Sequence, residues 1–133
     1  MFTLLIINFQ RIYYRKVITN NIISYKNNVY ITTMYSYGSG ADSRSSSTFR
    51  DLGDCNTLSF NKCVATAADC GIRIYGMPTN ESDFDSTKEL IWKKDAPYTW
   101  TNKSFDISSY EKITVILIPG DGGTITISGF KIE

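Results

Sequence analysis

"ITVILIPGDGGTITISGFKIE" (residues 113–133) sets two β-branched, apolar runs on either side of a Pro-Gly-Asp-Gly-Gly turn. Branching at Cβ stiffens χ1 and suits the pleated surface of a strand, while proline and glycine break any regular element between the runs. In the second run Ile125 and Ile127 alternate with polar residues, and the alternation resumes one residue out of phase at Phe130 and Ile132. Gly129 stands at the change of phase, which predicts a glycine-marked bulge. Upstream, "KSFDI" (103–107) and the turn "SSYEK" (108–112) add a further strand.

The pattern extends towards the N-terminus. "NNVYITTMYSY" (27–37) reads as a strand that stops at "GSGADSRSSS" (38–47), whose Gly and Ser predict an exposed loop. "TLSFNKCVAT" (57–66) and "GIRIYGM" (71–77), joined by "AAD" (67–69), read as a hairpin. A polar loop, "PTNESDFDST" (78–87), leads to the strand "KELIWKK" (88–94) and to "DAPYTW" (95–100), with a proline suited to an edge or turn. No window of a dozen residues combines helical periodicity with caps at both ends. Short strands with turn signals about every ten residues predict an all-β chain, an antiparallel β-sandwich or barrel.

A chain of 133 residues suits one hydrophobic core, and residues 29–133 read as a single β-sandwich domain. Residues 1–28 read as either an extra strand or an extension; they contain Arg11, Arg15, Lys16 and Lys26, and no acidic residue occurs before Asp42. The apolar run at 2–7 is far shorter than the roughly 20 residues of a membrane-spanning helix, and the basic start and cleavage site of a secretory signal are missing. A net charge of +1 supplies no overall attraction for nucleic acid or an anionic membrane.

The chain has no histidine, so the commonest general base and metal ligand is unavailable. Cys55, Cys63 and Cys70 are separated by seven and six residues, not by the tight pairs of a zinc site. They read as three reduced thiols or as a Cys63–Cys70 disulfide stapling the hairpin, with one thiol left over. Glu81, Asp83, Asp85 and Glu89 crowd into one loop, which gives poor material for a carboxylate pair held across a cleft; no enzyme is expected. Asp83 and Asp85 could ligate a structural calcium, although the spacing is not that of an EF-hand; no other cofactor is expected.

The aromatic residues suggest a binding role. Trp92 belongs to one extended segment, and Tyr98 and Trp100 share a face in the next. A sugar ring offers an apolar C–H face and a rim of hydroxyls, so flat rings beside polar groups would suit it. Trp92, Trp100, Tyr98 and Tyr75 are the candidate stacking rings, and Asp95 and Asn102 the candidate hydrogen-bonding partners. The competing reading is that the tryptophans fill core.

With its aspartate-containing "SFDIS-Y" corner, long apolar strand and closing "GTITISGFKI", the stretch 98–133 resembles the final strands of galactose-binding-like jelly rolls, found in carbohydrate-binding modules and in phage tail or surface proteins, and with "TLSFNKCVAT" and "GIRIYGM" in the places of earlier core strands the resemblance covers residues 57–133. That resemblance implies a jelly-roll sandwich without catalysis, a glycan or polysaccharide partner, often a structural calcium, and an extracellular or virion-surface setting. The alternative is a structural or assembly domain of a phage particle or cell-surface protein, with aromatics in subunit interfaces of a homo-oligomer or larger assembly.

Overall fold

The computed structural model describes residues 5–9, 12–13, 16–25, 28–40, 42–95, 97 and 99–133, with side chains described from residue 28 onward. Among the described residues, eleven strands and one helical turn follow in chain order: β1 (Leu5–Phe9), β2 (Ile12–Tyr13), β3 (Lys16–Tyr25), β4 (Asn28–Tyr37), β5 (Ser45–Phe49), β6 (Thr57–Ala65), β7 (Gly71–Met77), α1 (Phe84–Thr87), β8 (Glu89–Asp95), β9 (Thr99–Asp106), β10 (Lys112–Ile118) and β11 (Thr124–Ile132). They form two antiparallel sheets. The larger runs β1-β3-β4-β11-β6-β9, with β2 paired to β3, and the smaller runs β5-β10-β7-β8. This is the jelly-roll sandwich expected from the sequence.

The core lies between the sheets. Ile72, Ile74, Val115 and Leu117 of the smaller sheet face Leu58, Phe60, Ile125, Ile127 and Phe130 of the larger, all nearly without solvent exposure. Phe49 stacks on Phe130 at 5.5 Å, joining β5 to β11 across the interior. Each such side chain contributes about 1.5–3 kcal/mol by leaving water.

Two expectations about local structure are corrected. β6 and β7 are not a hairpin: β6 pairs with β11 and β9, whereas β7 pairs with β10 and β8. The turn at 66–70 carries the chain from one sheet to the other, as does the Gly-rich turn between β10 and β11. A tight turn between two apolar strands has the same local chemistry whether it folds a ribbon back or crosses a core, so only the pairing partners distinguish the two. The serine run is also not a loop throughout. Ser45, Ser47 and Phe49 point inward along β5, and Ser45 Oγ donates to Ser36 Oγ (3.4 Å) in the buried space between the sheets. Partnered hydroxyls are small enough to be buried there, and tertiary context overrides the weak strand propensity of serine.

The change of phase at Gly129 belongs to a row that crosses the larger sheet. Buried positions skip two residues at Thr32–Thr33 in β4, at Asn61–Lys62 in β6 and at Ser128–Gly129 in β11. These pairs lie opposite one another, and the register of β11 with both neighbours is the same on either side of them. β9 makes its shift at the same level, where Asn102 has φ +51°, and Gly129 has φ +65°. β3 meets the row with a register irregularity between Asn20 and Ile22. The expected phase shift is therefore present without a slip in β11 register, because its neighbours change phase with it.

Candidate functional site

The outer face of the smaller sheet follows from its register. Ile113 pairs with Phe49 and Val115 with Ser47 on the buried face, so Thr114 opposite Thr48 and Ile116 opposite Ser46 face outward. On the other side of β10 the outward partners are Lys112 with Met77, Thr114 with Tyr75 and Ile116 with Arg73. Arg44 and Arg50 flank β5 in the same phase as Ser46 and Thr48, and both are exposed.

Residues 78–88 fold over one end of this face. They contain the single helical turn α1 where the sequence predicted only a loop. Phe84 sits edge-on against Tyr75 (centroids 5.3 Å apart, 84°), and the Lys88 ammonium lies 4.6 Å from the Phe84 centroid and 5.7 Å from that of Tyr75. Lys112 Nζ donates to the Ser82 carbonyl (2.6 Å) and Arg50 Nη1 to the Asn80 carbonyl (2.6 Å), tying the segment to β10 and to the end of β5. Between α1 and the sheet lies an open trough of about 380 Å³. Met77, Phe84 and Ile116 give it an apolar side, Ser46, Thr48 and Thr114 supply hydroxyls, and Arg44, Arg50 and Lys112 supply cations. The Thr48 and Thr114 hydroxyls are 2.9 Å apart and hydrogen-bonded.

The candidate residues from the sequence fall in three places. Tyr75 and Asp95 lie on the smaller sheet, where Tyr75 is half-buried on the outer face and Asp95 is committed to Arg73 (Oδ1–Nη2 2.8 Å). Trp92 and Trp100 come together from the edge strands β8 and β9, but at right angles, with centroids 5.6 Å apart and an interplanar angle of 87°. Both are half-buried, and Trp92 also touches Phe60 (5.7 Å) and Phe105 (5.4 Å), so this cluster closes the side of the sandwich and offers no flat face common to the two indoles. Asn102 lies on β9 of the other sheet, holding the left-handed backbone of the phase-shift row, and Tyr98 lies outside the described residues. Sequence reading missed Arg44, Arg50, Lys112 and Phe84. A period-2 signal was present in "RSSSTFR" (44–50), where Arg44, Ser46, Thr48 and Arg50 occupy alternate positions.

Asp83 and Asp85 have local partners. Asp83 caps α1, accepting from Ser86 Oγ (2.9 Å) and Ser86 N (3.0 Å); these bonds, together with the charge of Lys112, hold its carboxyl below the ordinary range. Asp85 pairs with Lys88 at 3.7 Å. Among the described residues, no group of three metal-ligating side chains converges. The three cysteines are buried free thiols. Burial, assisted by Cys70, pushes the Cys63 thiol up to about 12, and burial with Asp54 and Glu133 also raises Cys55. A thiol held protonated in this way is a poor nucleophile.

No family model matches the chain, and none of the curated proteins matches it in sequence. In structure it is similar to the K1 cleaved adhesin domain of Lys-gingipain from Porphyromonas gingivalis, at 16% identity over 76% of this chain and 73% of that one, with a TM-score of 0.57. The K2 cleaved adhesin domain of Lys-gingipain gives 8% identity over 76% and 70%, with the same TM-score of 0.57. A family 29 carbohydrate-binding module gives 13% identity over 98% and 86%, with a TM-score of 0.46. At these identities the likeness is one of fold, and the fold is the all-β sandwich.

Proposed function

We propose that this chain is a non-catalytic carbohydrate-binding and adhesion module whose ligand lies along the outer face of the smaller sheet. The observation that carries this reading is the trough, where the apolar surface of Phe84 and Ile116 lies beside hydroxyls and cations. A sugar chain needs both sides at once, an apolar surface for its C–H faces and fixed donors for its hydroxyls. Hydrolysis of a glycosidic bond would need two facing carboxyls, and none is among the residues that line the trough. The fold is shared with adhesin domains, which agrees with a role in attachment.

In this reading Phe84, buttressed by Tyr75, is the stacking ring, and Trp92 and Trp100 support the sandwich from the side. Native affinity gels containing a panel of soluble polysaccharides test it. Retention by at least one polysaccharide should be lost in Phe84→Ala and Thr114→Val and kept in Trp100→Ala molecules that remain folded. Retention by none of them, or loss confined to the tryptophan variant, would overturn the assignment of the face.

A further inference from the structure

Resting on the reading of the trough as a carbohydrate site, we infer that its ligand is an acidic polysaccharide, with uronate carboxylates or sulfate esters met by Arg44, Arg50 and Lys112. All 13 acidic residues of the chain lie at or after Asp42, within the described residues. Among the described residues the ion pairs are Arg73–Asp95, Lys88–Asp85 and Lys131–Glu133. The three cations lining the trough therefore have no carboxylate within ion-pairing distance, although the net charge of the chain is only +1. Asp51, Glu81 and Asp83 share a neighbouring depression with Arg50 and Lys112. Asp83 caps α1, and Asp51 accepts from Asn80 Nδ2 at 2.8 Å.

Lys112 is the clearest case. It is 6% exposed, and its ammonium, which has three protons to donate, is bonded to the Ser82 carbonyl. A cation held by a carbonyl, with the Asp83 carboxylate close enough to feel its charge but not ion-paired to it, gains a charge-assisted partner from an anion in the trough it lines. The spacing of the two arginines sets the shape of that anion. Arg44 and Arg50 are six residues apart along β5, a span of about 20 Å in extended chain, so no single phosphate or sulfate reaches both. Ser46, Thr48 and Thr114 lie between them, and their hydroxyls fit a polyhydroxylated chain that carries charge at intervals.

The test uses native affinity gels of the full chain with polygalacturonate, dextran sulfate, neutral galactomannan and, as a polyanion without sugar hydroxyls on its outer surface, duplex DNA. Retention is expected from one or both acidic polysaccharides, the pair separating uronate from sulfate recognition. It should fall about tenfold in the double variant Arg44→Gln/Arg50→Gln, and it should weaken as salt is raised. Arg50→Gln gives up the bond to the Asn80 carbonyl, so the single variant Arg44→Gln, which leaves that bond in place, should also weaken acidic retention and should unfold at the same denaturant concentration as the native chain. Retention by galactomannan alone, or acidic retention indifferent to the double variant, overturns the charge inference and leaves the carbohydrate reading standing. Equal retention by DNA also overturns it, because charge alone would then suffice. Retention by no polysaccharide overturns both.

Discussion

Replacing Gly129 by alanine tests the phase-shift row of the larger sheet. The added methyl meets two separate costs. At φ +65° an L-residue is in left-handed backbone, a strain of about 1–2 kcal/mol. The new Cβ would also lie 2.2 Å from Asn61 Nδ2 and 2.7 Å from Asn61 Cγ, so the Asn61 side chain must leave its place at a further cost of about 1–2 kcal/mol. The sum is about 2–4 kcal/mol, a large part of the stability of a small domain. Urea unfolding followed by the fluorescence of the half-buried Trp92 and Trp100 should show the midpoint falling with little change in slope. In an Asn61→Ala background the clash with the amide group is gone, while the 3.2 Å approach to the Cβ of residue 61 and the backbone strain remain, so the same substitution should cost only about 1–2 kcal/mol. A cost below about 0.5 kcal/mol, or an equal cost in both backgrounds, would refute the account of the row.

Other measurements address other parts of the molecule. Asn102→Gly should keep or slightly raise stability, because glycine accepts φ +51° freely, whereas Asn102→Val should lose about 1–2 kcal/mol; both are read by thermal unfolding. Trp92→Ala removes contacts to Trp100, Phe60 and Phe105 and should cost about 2–4 kcal/mol in denaturant unfolding. Asp83 has a depressed folded pKa, so its stabilisation is present above the unfolded carboxylate value and disappears as pH falls through the folded one. The difference in Tm between wild type and Asp83→Asn should accordingly be full at neutral pH and vanish in acid. Cys63, with its thiol near 12 and its sulfur buried, should resist alkylation at pH about 8 in the native protein and react on unfolding.

The candidate site was legible only in part, and the reason lies in what each residue reports locally. Tyr75 stands out in the sequence as an aromatic near a strand end, and it lies on the outer face of the smaller sheet. Trp92 and Trp100 carry the same sequence signal. Their rings turn between the sheets because β8 and β9 are the open edges on the same side of the sandwich and need closing. Arg44, Arg50 and Lys112 are ordinary surface cations in the sequence. They become a set only when β10 brings Lys112 and Thr114 beside β5, across more than sixty residues of chain.

Alternating apolar positions, β-branched runs and glycine-marked turns determined by themselves that the chain is all-β, a sandwich or a barrel, since period-2 burial follows from the geometry of a single strand. Gly129 marked one change of phase for the same reason. Tertiary structure decided which strands share a sheet, turning the turn after β6 from a hairpin into a crossing of the core. It also aligned Thr32–Thr33, Asn61–Lys62 and Ser128–Gly129 in one row. Strand pairing is a long-range choice made by the fit of whole buried faces, and no stretch of sequence contains both partners of such a fit.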